Sequence, residues 1–438
     1  MNIVARSIFI FSLLIPAWSS GQNVPLTLQE ALHSAQQNNQ SIHISQLDVS
    51  VSHANYKQTQ AVFLPQVNLG YSAMRTNNPL NAFGFKLQQQ AITASDFDPN
   101  VLNDPAATQN FMVKAEVLQP IFNLDGLYQR QAAGNQAEAY QWKHIRTKQY
   151  VLFDVEKAYA QLQLAHRAVA VLEEAVSTAQ SVYTVTNNRF EKGYLQKSDV
   201  LHVQVHATNS ESRLAEARSN VQNASDYLSL LMGTPTGVVY AVDTTTQVNE
   251  VQSIDTTLPE NRADFMAMQK AVQARDNLVK SGTMAYVPTL NAFGEYLFND
   301  AEAFGFGSDS YLIGAQLSWK IFNGTATKNK VDAQRSERDK AVRELQYQKE
   351  QAQLELSKTQ RQQQDARLTV NQQALAVQQA EEALRLIQNR YEQGLVTTTD
   401  LLQAQTMVSQ QKLIWAQAVF QLNTTQAYLR FLTTTSNE

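Results

Sequence analysis

Residues 188–201 read NRFEKGYLQKSDVL, and 201 residues later, residues 389–402 read NRYEQGLVTTTDLL. Both stretches keep Arg-x-x-x-Gly followed six residues on by Asp: Arg189, Gly193 and Asp199, then Arg390, Gly394 and Asp400. Neither contains Cys, His or a glycine-rich loop, so nothing in the pattern supplies a nucleophile, a metal cluster or a phosphate cradle. Its repetition reads as architecture. Other landmarks fall into register with it. PIFN at Pro120 matches KIFN at Lys320, and YLSLLMG at Tyr227 matches YLRFLTT at Tyr428. FLPQVNLGY around Pro65 matches YVPTLNAFGEY around Pro288 at an offset larger by 23, so the first copy carries 23 extra residues between its Pro and its Ile-Phe-Asn. The chain is an internal duplication.

On either side of each tip, apolar or small residues recur in steps of four and three. The first copy shows it as Val151, Val155, Ala158, Leu162 and Ala165 before the tip, and as Val200, Val203, Ala207, Ser210 and Leu214 after it. That is a coiled-coil seam. Each motif therefore turns an antiparallel helical hairpin, with Gly193 or Gly394 where a helix ends in a left-handed residue. The helix before the first tip runs from about 124 to 189, roughly 100 Å at 1.5 Å per residue, whereas the return helix holds only about 36 residues. Residues 27–60, and 261–285 in the second copy, make up the difference, so two continuous helices pair with two spliced ones. Thr359, Gln363, Gln373, Gln411 and Thr425 stand at seam positions of the second copy. They either specify register or face a wet interior, and the second reading assigns that hairpin to an inner, mobile layer.

Between the helices the period falls to two. Strands are expected at about 66–75, 111–121, 289–298 and 311–321, with Tyr71, Tyr296, Tyr311 and Trp319 toward their ends, in the manner of outer-membrane strands or of a half-buried antiparallel sheet. The 23 extra residues, rich in Asn, Asp and Pro, are expected to form a long loop. Arg6 precedes the apolar run SIFIFSLLIPAW and the small residues Ser19, Ser20 and Gly21, the layout of a signal peptide over 1–20. With no later stretch of 18 apolar residues, an exported chain of this kind enters a membrane only as strands. Four strands leave two open edges, which lipid does not tolerate, so the chain is expected to oligomerise. The organisation expected is a first repeat over 21–232, an inter-repeat segment over 233–260, a second repeat over 261–432 and a tail over 433–438.

The net charge of −4 and the lack of a basic stretch exclude nucleic acid as a partner. The absence of Cys excludes disulfides and lipidation at a cleavage-site thiol. His202 and His206 share a helical face at i, i+4, a zinc-compatible spacing, but no third ligand stands near them and a solvated face is the simpler reading. No catalytic set, cofactor site or metal site emerges; a non-pore periplasmic coiled-coil adaptor or tether is one class of function open to such a chain.

From about residue 26 to 432 the chain resembles the TolC-like outer-membrane efflux protein family, on the duplicated tip motif, the Pro-led strands, the PIFN and KIFN strand exits and the long Ala/Gln-rich heptads. The resemblance implies a mainly α fold with β. It implies a homotrimer in the outer membrane with a twelve-stranded barrel, a helical tunnel crossing the periplasm, and an equatorial belt built partly from residues 233–260. It also implies a passive duct of a tripartite efflux or type I secretion system, gated at its tips and docked to a periplasmic adaptor and an inner-membrane pump. Drug, metal and protein cargo are all compatible with it. By the same resemblance Asp400 lines the constriction, and the second acidic ring falls on Gln403. Tyr391 is the tip aromatic, with Asp199 placed to accept its hydroxyl hydrogen bond, and Val396 stands where an Arg commonly completes the closed state. Lys320 replaces the Pro often found at that barrel-to-helix corner. Arg189, Gly193, Arg390 and Gly394 form the adaptor-docking tips.

Overall fold

The computed structural model describes residues 24–244 and 257–435. The expected signal peptide, the middle of the inter-repeat segment and the end of the tail lie outside them. In chain order the elements are β1 (Val24–Pro25), α1 (Leu28–Asn38), α2 (Gln40–Gln58), β2 (Gln66–Thr76), α3 (Pro79–Gln88), α4 (Pro99–Asn103), β3 (Thr108–Phe122), α5 (Leu124–Glu191) and α6 (Lys197–Met232). There follow β4 (Tyr240–Ala241), α7 (Ala263–Met284), β5 (Thr289–Asp300), β6 (Ser308–Ser318), α8 (Ala326–Glu392) and α9 (Thr398–Thr433). The backbone packs as two compact units that cut across the sequence repeat.

Among the described residues, the first unit comprises 24–43, 147–244, 257–259 and 352–434. Its core follows the seam. Val151, Val155, Ala158, Leu162 and Ala165 of α5 are buried, as are Val200, Val203, Ala207, Leu214, Val221 and Leu228 of α6. The small residues in these rows let helix axes approach closely, while the valines and leucines supply most of the apolar area. Around Leu162 and Leu228 pack Ala31 and Ala35 of α1, together with Tyr240 of β4. The two-residue strands β1 and β4 pair in parallel. The helical segment expected over 27–60 is broken at Asn39, whose backbone is extended. Its buried side chain spans the break, donating to Leu231 O at 2.7 Å and accepting from the amides of Ser41 and Ile42.

The second unit comprises residues 44–146, 260–351 and 435–438 and holds an antiparallel sheet in the order β2-β3-β5-β6. Strands from the two sequence copies meet at β3 and β5, so the repeat is not a packing unit. One face carries the rows Val67–Val117–Gly294–Ile313 and Leu69–Ala115–Tyr296–Tyr311. Val67 is 70% exposed, Leu69 77%, Tyr311 73% and Ile313 76%. The opposite face is mixed, with Leu118, Phe293 and Leu312 beside its charges. Lys114 pairs there with Glu295 at 2.6 Å and with Glu116 at 3.3 Å, and Asn110 donates to the buried Asn299 at 2.9 Å. A water-soluble sheet buries its apolar face; here that face is exposed.

The strand expected at 311–321 is found at Ser308–Ser318, because β5 begins at Thr289, the partner of Ser318, and no ladder continues beyond it. Trp319 turns out of the sheet and donates its indole N–H to Tyr286 O at 2.9 Å. The expected long loop in the first copy is largely helical. Asn78 caps α3 with Pro79 at its first position, Asp98 caps α4 with Pro99 likewise, and Thr93 with Asp96 forms a capping box between them. Residues that read as turn formers are acting as helix starts. Lys86 clamps the excursion onto Asp96 at 2.6 Å. The ion pair and the Thr93 hydrogen bonds hold the Asp96 carboxyl down to about 2.

Candidate functional site

The duplicated motif closes both hairpins with one geometry. At the first tip Gly193 has φ +79°, its amide donates to Phe190 O at 2.8 Å, and the Tyr194 amide donates to Arg189 O at 2.9 Å. At the second, Gly394 has φ +76°, with Gly394 N to Tyr391 O at 3.0 Å and Leu395 N to Arg390 O at 2.9 Å. The paired six-to-one and five-to-two bonds are a Schellman cap, which explains the fixed spacing from Arg to Gly. The Asp belongs to the start of the next helix. Asp400 accepts from the Thr397 amide at 2.9 Å and from its hydroxyl at 2.7 Å, while the Asp400 amide donates back to Thr397 Oγ1 at 3.2 Å. Thr397 is thus the cap and Asp400 the third residue of a capping box. In the first copy Asp199 accepts from the Gln196 amide at 3.1 Å.

Around these caps the two hairpins are not equivalent. Tyr391 is only 6% exposed and packs with Val182, Val203, Leu401 and Leu402. Its hydroxyl lies 3.3 Å from Thr398 Oγ1 and 3.5 Å from Thr186 Oγ1, and the Arg189 guanidinium sits 4.8 Å above its ring. The expected bond from Tyr391 to Asp199 is not formed: Asp199 is engaged by the Gln196 amide, and two threonines flank the hydroxyl instead. Thr186 belongs to the first hairpin, so the tyrosine still joins the two. Val396 packs half-buried against the same cluster. Arg189 is half-buried over the ring, whereas Arg390 is exposed. Asp400 and Gln403 share an exposed face of α9. The Thr397 hydroxyl and amide hold the Asp400 carboxyl below the usual carboxylate range, so it is charged at neutral pH.

Two contacts between the hairpins carried no legible sequence signal. Lys412 of α9 reaches Glu174 of α5 at 2.9 Å and Glu381 of α8 at 3.2 Å. His206 of α6 lies 3.0 Å from Thr406 of α9. Their only mark in the sequence is periodic: Lys412 follows the seam position Gln411, and His206 precedes the seam position Ala207. The polar seam residues also divide. Thr359 and Thr425 are buried and bond back to Glu355 O at 2.8 Å and Gln421 O at 2.7 Å, so these two sit in the packed seam and not on a wetted surface. Gln363 is half-buried, with an amide nitrogen that has no partner.

A family model described as outer membrane efflux protein matches residues 31–234 and 256–435. The chain belongs to the outer membrane efflux protein family. Solved structures agree on the fold. CusC superposes with a TM-score of 0.80 at 16% identity, over 97% of this chain and 96% of that one. The outer membrane protein VceC of Vibrio cholerae gives 0.76 at 17%, over 94% and 97%. The CmeC outer membrane channel of Campylobacter jejuni gives 0.78 at 16%, over 100% and 95%. No curated protein matches the chain. As an outer membrane efflux protein the chain is a transport protein and not an enzyme, resident in the outer membrane and extending into the periplasm. The exposed apolar face of its sheet fits that location. No helix among the described residues is long and apolar enough to cross a membrane.

Proposed function

We propose that the protein is the outer-membrane exit duct of a tripartite efflux or type I secretion system. Three chains close a twelve-stranded barrel, and the helical hairpins form a tunnel gated at its tips and docked there to a periplasmic adaptor and an inner-membrane pump. The observation that carries this reading is the unfinished sheet. It has a lipid-compatible face, a charged opposite face and unpaired edges at β2 and β6. Open edges are forbidden in hydrocarbon, so the strands must close through other copies. Successive antiparallel pairings run β2 and β6 in opposite directions, which lets β6 of one chain continue antiparallel into β2 of the next. Two chains give eight strands, whose interior side chains fill; three leave a lumen.

A second feature supports association through the helices. Tyr347, Leu354, Leu368 and Leu375 of α8 are exposed at intervals of seven or fourteen, the seam of a coiled coil without its partner. At the tips, the acidic Asp400 and the polar Gln403 face outward from α9, where three copies around an axis concentrate negative potential and favour cations. Arg189, Gly193, Arg390 and Gly394 are the proposed adaptor surface, with Arg189 divided between Tyr391 and a partner.

The test is reconstitution of detergent-extracted protein into planar bilayers. The duct reading expects discrete, cation-preferring channels whose cation preference falls in Asp400→Asn. A product that stays soluble in the periplasmic fraction and conducts nothing would establish the tether instead.

A further inference from the structure

We propose that His206 is an acid-sensitive latch holding α6 of the first hairpin against α9 of the second. Thr406 Oγ1 donates its proton to Leu402 O at 2.8 Å, so its 3.0 Å contact with His206 Nε2 needs the imidazole as donor. Neutral His206 therefore carries its proton on Nε2, leaving Nδ1 as a lone pair. Nδ1 is buried and has no partner. The residue lines a partly open cavity of about 250 Å³ bordered by α5, α6, α8 and α9. A second proton on the ring creates a buried N–H with nothing to receive it and a charge with nothing to balance it.

The groups facing the cavity make that state costly. Helix α6 contributes Arg213, α9 contributes Lys412, and α5 contributes Glu174, while α8 presents Leu384. Glu174, the one acid in that lining, places both oxygens on Lys412 at 3.1 and 2.9 Å, and Lys412 is also held by Glu381 of α8. Gln405 Oε1 is buried in the same lining and is hydrogen-bonded to no group, the ring included. Burial, and secondarily Arg213, push the imidazole below the ordinary histidine range. Once α6 and α9 part, the ring meets water and regains that range. As pH falls from about 6.5 toward the depressed value, the parted state takes the proton first and gains on the latched one. Each pH unit in that window is worth up to about tenfold per protomer in the equilibrium. Above it the latch is fully present.

The latch rests on the gating reading for its purpose, but it can be measured without transport. The chain has no Cys, so spin labels at Leu201→Cys and Met407→Cys, both exposed, report the α6 to α9 distance in full-length protein in detergent. Between about pH 7.5 and pH 5.5 the longer-distance population should rise several-fold. His206→Gln, which keeps a donor for Thr406 but cannot take the proton, should abolish the rise. Gln405→Glu, which places a carboxylate in the cavity, should abolish or reverse it. An unchanged distance in the parent, or an equal acid response in His206→Gln, overturns the latch. Failure of the gating reading shows separately, as channels whose conductance ignores a distance change that does occur.

Discussion

Substituting Gly394 separates its two proposed roles, as a helix cap and as a clear surface for a partner. At φ +76° any side chain other than Gly or Asn is strained, by on the order of 1 kcal/mol, or roughly fivefold in the capped population. A Cβ built there meets nothing within 4 Å, so within the chain the cost is conformational and not steric. Gly394→Ala and Gly394→Trp therefore carry about the same strain, while Gly394→Asn carries less. Only an approaching partner distinguishes Ala from Trp. Export is measured in cells lacking the native copy, with the amount of protein in the outer membrane measured alongside. Docking predicts that Gly394→Asn exports normally, that Gly394→Ala loses a few-fold at most, and that Gly394→Trp abolishes export at unchanged membrane abundance. Equal export from Ala and Trp would refute docking and leave the glycine a cap alone.

Tyr391→Phe removes a hydroxyl held at 3.3 and 3.5 Å, bonds long enough to be worth only about 0.5 kcal/mol, and should raise single-channel conductance or open time modestly. Tyr391→Ala empties a buried site between the hairpins at a cost of about 3 kcal/mol and should leave the channel leaky by the same recording. Lys412→Met breaks one partly solvated pair between the hairpins, to Glu174, and one within the second hairpin, to Glu381; the first is worth about 0.5 kcal/mol, so the open fraction should rise roughly twofold at low salt and less at high salt. Since the Asp400 carboxyl is held below 3.8, its cap and charge are fully present above that value. Both are lost only as pH falls through the depressed pKa, so cation selectivity in planar bilayers should persist at pH 4.5.

How far the fold could be read from residues depended on period. A four-three step over dozens of residues has one structural meaning, and the buried rows of α5 and α6 follow it residue by residue. Alternation likewise marks strands, but their ends depend on a neighbour, as β6 shows by stopping where β5 begins. The excursion of α3 and α4 was illegible for a different reason. Asn-Pro and Asp-Pro start a turn or a helix with equal ease, and the choice rests on Lys86 reaching Asp96. At the tips the spacing of Arg, Gly and Asp anticipated the turn and not the partners of the side chains. Tyr391 chose Thr186 and Thr398 because Asp199 was already committed to the first turn of α6, a competition that only three-dimensional placement reveals.

The central claim is that β6 of one chain pairs with β2 of the next. Within a chain those strands are separated by β3 and β5, a lateral gap of about 14 Å, beyond the reach of any disulfide. Leu69→Cys is therefore combined in turn with Tyr311→Cys, Ile313→Cys, Ala315→Cys and Leu317→Cys, and the membranes are oxidised before electrophoresis under denaturing conditions. The account predicts that one register yields covalent dimers and a covalent trimer, with no species beyond three chains. Monomers alone at every register, or an open-ended ladder past three, would contradict it.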